Sequence, residues 1–193
     1  RNESIYDSYE AGHSSTSLSA ALGFAYARDL DNRDYHIVSV IGDGSIGNGL
    51  AYEALNHIGE TKTKMIIILN DNEMSISKNI SGMNKLLTRL RSKKRYRITN
   101  LKWRKIFSKI PIIGFNIVKL VGNSKNIIKQ VFIPGMYFEE IGIKYLGPVD
   151  GHNIKDLEDI FEKAKNFDEP VIIHVLTKKG KGYKPAEQIP SKF

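Results

Sequence analysis

Two short segments carry residues able to hold a metal-bound anion. Ile41-Gly42-Asp43-Gly44-Ser45 closes the apolar run His36 to Ile41, and Leu69-Asn70-Asp71-Asn72-Glu73-Met74 closes Met65 to Leu69. Each run reads as a strand, so each delivers an oxygen-bearing side chain at its carboxyl end, where open α/β sheets keep their ligand crevice. Asp43 offers a hard carboxylate oxygen and Asn72 an amide oxygen, a donor pair suited to Mg²⁺ bridging a diphosphate. Gly42 and Gly44 lack a Cβ, which permits a sharp turn and a close approach to phosphate. A helix starting at Gly49 would present its N-terminal amides to the same anion. Asp43 taken alone reads better as a turn residue; the second strand end makes the metal reading the better one.

The elements that must position these residues follow from periodicity. Ser14 to Leu30 places Leu18, Ala21, Leu22, Ala25 and Tyr26 at helical spacing, with Asp31-Asn32-Arg33-Asp34 as its exit loop. The strand at His36 to Ile41, a helix from Gly49 to about Gly59 and the strand Met65 to Leu69 complete a βαβ pattern, which implies α/β architecture with a mostly parallel sheet flanked by helices. Met136 to Gly142 reads as a short helical turn and Ile143 to Leu146 as sheet. Asn153 is placed to cap a helix over Ile154 to Asn166, Val171 to Leu176 forms a β-branched strand, and Lys178 to Phe193 reads as loop.

Charge is unevenly distributed. The net charge is +8, yet Met74 to Phe138 holds 15 Lys or Arg and no Asp or Glu, while the remainder has 14 basic and 21 acidic residues, a net of −7. Within the block, helices are expected at Asn84 to Arg97, Leu101 to Ile110, Pro111 to about Val121 and from Ser124 to Phe132. The block is therefore a basic helical insertion, about residues 84–133, in a single α/β domain. It reads as a solvated face, with binding to nucleic acid or to an anionic membrane surface as the alternatives. With 193 residues and 41% hydrophobic content the chain can bury one sizeable core. It has no cysteine, which excludes disulfides and thiolate metal sites and fits a cytoplasmic setting. It shows no signal peptide and no membrane-length apolar run. Its start at Arg1 points to further sequence upstream.

The Asp43 and Asn72 pair, 29 positions apart, resembles the diphosphate-binding motif of thiamin-diphosphate enzymes. Gly12-His13-Ser14-Ser15-Thr16-Ser17, Ile68 to Lys78 (ILNDNEMSISK), Gly147 to Asn153 (GPVDGHN) and Thr177 to Glu187 (TKKGKGYKPAE) resemble, in this order, the 1-deoxy-D-xylulose-5-phosphate synthase family. The resemblance implies that Mg²⁺ is held by Asp43, the side chain of Asn72 and the backbone carbonyl of Met74. It implies cofactor contacts from Gly12, His13, Ser14, Gly44, Ser45, Asn72 and Tyr183. It further implies condensation of pyruvate with D-glyceraldehyde 3-phosphate with loss of CO₂, a homodimer when full length, and no nucleic-acid or membrane partner. In such a protein a pyrimidine-binding domain and a C-terminal domain would lie outside this chain, so the chain alone would anchor the diphosphate without turning over substrate. Two other readings compete. One is another transketolase-like thiamin-diphosphate enzyme; the other is a non-catalytic remnant that binds acidic partners through its basic block. From the residues alone, His36, His57 and His174 read as structural, and His152 as part of the turn before Asn153.

Overall fold

The computed structural model describes residues 4–9, 11–72, 87 and 136–192. In chain order these form α1 (Ser17–Leu30), β1 (Val38–Gly42), α2 (Gly49–Thr61), β2 (Ile66–Asp71), α3 (Met136–Glu140), β3 (Lys144–Asp150), α4 (Ile154–Lys165), β4 (Val171–Leu176) and α5 (Lys184–Gln188), followed by a 3₁₀ turn at Pro190–Lys192. The four strands make one sheet in the order β1-β2-β4-β3, and every pairing is parallel. Parallel neighbours require crossovers, and helices supply them.

Both faces of β2 and β4 are covered, whereas on β1 only one face is, Val38 and Val40 remaining exposed among the described residues. Side chains of period two divide β2 into Ile67 and Leu69 on one face and Ile66 and Ile68 on the other. The first set joins Ile41, Tyr145 and Ile172 beneath Leu18 and Leu22 of α1 and Leu55 and Ile58 of α2. The second joins Val171, Ile173 and Val175 beneath Leu157, Ile160, Phe161 and Ala164 of α4. β4 is buried on both faces, which explains its unbroken apolar sequence. Each fully buried Leu or Ile contributes about 1.5–3 kcal/mol relative to exposure.

The expected elements are present, with shifted ends that have local causes. α1 starts at Ser17 rather than Ser14, because Ser15 has a left-handed φ of 73° that no helix continues. β1 starts at Val38; His36 lies before the strand and is exposed. β3 runs on past Gly147-Pro148 to Asp150, with a register irregularity between Leu146 and Val149 that accommodates the proline. Asn153 caps α4 as expected, its Oδ1 accepting the Asp156 N–H at 3.3 Å. The tail, expected to be loop, instead contains α5 and the 3₁₀ turn. Pro185 preorganises the first turn of α5, and Glu187 reaches back to accept the Gly182 N–H at 2.8 Å. The expected helices of the basic insertion, residues 84–133, lie outside the described residues, apart from Leu87, which is helical and buried in the core beside α1 and α2. Among the described residues no helix is long and apolar enough to cross a membrane.

Candidate diphosphate-binding site

Because all four strands are parallel, their carboxyl ends share one edge of the sheet, and Asp43 and Asn72 follow β1 and β2 there. β1 exits through Asp43, whose N–H donates to the Asn70 carbonyl at 3.1 Å, so pairing with β2 continues one residue past the strand. The Gly42 carbonyl then accepts from the N–H groups of Ser45 (3.0 Å) and Ile46 (3.1 Å), which folds the turn tightly. Ile46 is fully buried and anchors this turn. Asp43 is itself only 5% exposed. A carboxylate withdrawn from water needs a donor or a cation to compensate it. Gly42 does not have a positive φ, so its place in the turn does not depend on a conformation reserved for glycine. A Cβ at Gly42 would meet nothing within 4 Å, so the glycine leaves open space beside the strand end.

β2 exits through Asp71 and Asn72. Its end is tied to β4: the Thr177 hydroxyl donates to Asn70 Oδ1 at 2.7 Å, and the Thr177 N–H donates to the Asp71 carbonyl at 2.9 Å. Asn72 is partly buried and follows directly. Asp43 and Asn72 thus leave adjacent strands at the same edge. Met74, the third expected metal ligand, lies outside the described residues. Among the described residues no three His, Asp or Glu side chains gather as a metal site.

The segment before α1 reaches this edge through Ser15. Its hydroxyl donates to the Ser45 carbonyl at 2.8 Å and accepts from Asn48 Nδ2 at 2.6 Å. Ser17 Oγ adds a bond to the Val40 carbonyl at 3.3 Å. Gly12, His13 and Ser14 are exposed in the turn just upstream, and the Thr16 hydroxyl donates to the His13 carbonyl at 3.2 Å. Neither Ser15 nor Asn48 was expected as a site residue; Ser15 joins the two loops through its hydroxyl. α2 begins at Gly49, so its N-terminus opens on the same edge, as expected.

β3 and β4 contribute two further loops that are locked together. The Lys178 N–H donates to His152 Nε2 at 2.8 Å, and the Gly151 N–H donates to the Leu176 carbonyl at 2.8 Å. A Cβ on Gly151 would fall 2.6 Å from Thr177 Cγ2, a separation only glycine allows. Lys178 also pairs with Glu187, and this contact, with the Gly182 N–H, holds the Glu187 carboxyl below its usual range. The loop bears Tyr183, which precedes α5 and remains 57% exposed. The GPVDGHN and TKKGKGYKPAE segments are therefore one structural unit, with His152 in the turn role expected for it.

Behind the edge lies a buried polar chain. His174 Nε2 is 2.9 Å from Asp71 Oδ2, and His174 Nδ1 is 2.8 Å from the Tyr145 hydroxyl. Burial, and secondarily the Asp71 charge, push the Tyr145 phenol well above its usual range. His174 is structural in the sense expected, being fully buried, but its two partners were not foreseen. His57 is exposed rather than in the core, and it bonds the Tyr26 hydroxyl at 2.6 Å.

The fold defines the class first. A transketolase from Campylobacter jejuni superposes with a TM-score of 0.55 and 22% identity, over 90% of this chain and 22% of that one, a likeness that places this sheet among transketolase-like α/β folds. The model of the 1-deoxy-D-xylulose-5-phosphate synthase family matches residues 1–177, and the chain belongs to that family. Relatives of that name in Clostridium tetani and Clostridium kluyveri are 55% and 54% identical over 100% and 99% of this chain. The chain spans 31% of the length of each of these relatives.

Proposed function

We propose that this chain is the diphosphate-anchoring part of a thiamin-diphosphate enzyme, and that the whole protein condenses pyruvate with D-glyceraldehyde 3-phosphate with loss of CO₂. Family membership supports the reaction, and the buried Asp43 beside the end of β2 carries the assignment of the anchor. In this reading Asp43, Asn72 and the Met74 carbonyl hold Mg²⁺, which suits an all-oxygen donor set completed by diphosphate oxygens and water. Gly12, His13, Ser14, Gly44 and Ser45 contact the cofactor along the β1 side, and Tyr183 does so from the β4 side. The open space at Gly42 admits a phosphate close to the backbone.

The cofactor, when bound, supplies the electron sink for decarboxylation. The chain's own residues bind and orient it, and the Ser15 and Thr177 hydrogen bonds hold the two strand ends in register. The pyrimidine-binding and C-terminal domains belong to the rest of the protein, a homodimer in the cytoplasm with no nucleic-acid or membrane partner. The chain by itself is then inactive. The test is a product assay on the protein extended to the length of its relatives. CO₂ release from pyruvate that depends on glyceraldehyde 3-phosphate supports the reading; ketol transfer between sugar phosphates without pyruvate use would favour a transketolase activity instead.

A further inference from the structure

Tyr145, His174 and Asp71 sit on β3, β4 and β2, three neighbouring strands, and are 8%, 0% and 1% exposed. Two hydrogen bonds join the three side chains: His174 Nε2 lies 2.9 Å from Asp71 Oδ2, and His174 Nδ1 lies 2.8 Å from the Tyr145 hydroxyl. Both ring nitrogens of His174 are engaged, so the imidazole is held in one orientation. Phe138 stacks on the Tyr145 ring, with centroids 5.9 Å apart and planes at 7°, and fixes it from the other side.

Asp71 is the last residue of β2, and the next residue is Asn72. The same two residues before Asn72 are gripped from both neighbouring strands. Asp43 N–H holds the Asn70 carbonyl from the β1 side, while Thr177 and His174 hold Asn70 and Asp71 from the β4 side. A bond between β-strands would leave the chain free to pivot beyond its last ladder pair, whereas a buried charged hydrogen bond to the last side chain does not.

We propose that His174 and Tyr145 are positioning residues for the clamp: through the Asp71 carboxylate they set the point and angle at which Asn72 leaves the sheet relative to Asp43. This role rests on the metal reading given above. It assigns to a core histidine the part that outer partners play behind metal ligands, whose loss costs roughly 10- to 100-fold in metal affinity.

The test compares the chain with His174→Leu, His174→Gln and Tyr145→Phe, and with Leu55→Ala, a truncation in the same apolar core that removes none of the relay's hydrogen bonds. Two quantities are read: Mg²⁺ affinity in the presence of thiamin diphosphate, and amide hydrogen exchange in the ligand-free chain. His174→Leu is expected to lower Mg²⁺ affinity roughly 10- to 100-fold. His174→Gln, whose amide can still donate toward Asp71, restores most of it, and Tyr145→Phe falls between. Exchange at the Asp43 and Thr177 amides speeds up relative to Ile66 and Val171 at the opposite end of the sheet, whereas Leu55→Ala changes both ends alike. Wild-type affinity in folded His174→Leu and Tyr145→Phe would overturn the proposal, as would a loss no larger than that of Leu55→Ala at equal melting temperature. If the wild-type chain takes up no Mg²⁺ with thiamin diphosphate, the metal reading fails by itself, and exchange then judges the relay: unchanged rates at Asp43 and Thr177 in Tyr145→Phe sink it.

Discussion

Gly23 and Gly59 are both interior helix glycines, and alanine at the two positions should have opposite effects. In α1, a Cβ on Gly23 would meet nothing within 4 Å. Gly23→Ala therefore gains only the helical preference of alanine, about 0.5–1 kcal/mol of stability. In α2, a Cβ on Gly59 would fall 1.7 Å from the Ile141 carbonyl oxygen and 2.8 Å from its carbon. Both are backbone atoms, and the Gly142 that follows approaches Gly59 in return, its own Cβ position lying 2.5 Å from the Gly59 carbonyl oxygen. No rotamer change relieves such a contact, so α2 and the turn after α3 must separate. Overpacking of this kind costs about 1–3 kcal/mol and occasionally more. Taking the upper figure, because backbone is struck, and subtracting the propensity gain leaves a net loss of about 2 kcal/mol. For a chain of this size that lowers the melting temperature by about 4–8 °C. Thermal and urea melts of both variants beside the parent would show Gly23→Ala shifted up and Gly59→Ala shifted down. Equal shifts of the same sign would refute the packing of α2 against the Ile141–Gly142 turn.

Three further outcomes follow from particular bonds. Ser15→Ala removes the hydroxyl that joins Ser45 and Asn48 and should cost about 1–2 kcal/mol in a urea melt, with no loss of helix content; an unchanged midpoint would show that this link is inert. Asn153→Ala should cost about 1 kcal/mol through loss of the α4 cap, and Asn153→Asp should restore it. Glu187 has a folded pKa below its unfolded value of 4.5, so its contribution is fully present above that value and disappears as pH falls through the lower folded one. Acid should therefore lower the protection of the Gly182 amide, its exchange rate relative to the intrinsic rate at the same pH, while Glu187→Gln has low protection at neutral pH already; a protection that stays constant across this range in the parent would contradict this.

The sheet was legible because its strands are short β-branched runs between helices of clear period, and β4 even kept its predicted ends at Val171 and Leu176. The two clamp residues were legible as strand ends. What periodicity does not contain is which strands are neighbours: β2 pairs β4 rather than β3, and only that order brings Thr177 to Asn70 and His174 to Asp71 across about a hundred residues of sequence. His174 thus looked like one more core histidine. Ser15 was hidden within Ser14-Ser15-Thr16-Ser17, where any residue serves as a helix cap on paper and only the backbone reveals the left-handed one. α5 was missed because five residues, Lys-Pro-Ala-Glu-Gln, are too few to show a period; the signals present were Pro185 near its start and Glu187 one turn on.

The most direct measurement is a calorimetric titration of the 193-residue chain with thiamin diphosphate, with and without Mg²⁺, in parent and Asp43→Ala forms whose folding is checked by circular dichroism. The account predicts binding that requires Mg²⁺ and is abolished by Asp43→Ala while the fold persists. Binding that ignores Mg²⁺ or survives Asp43→Ala, or no binding by a folded parent chain, would contradict the clamp.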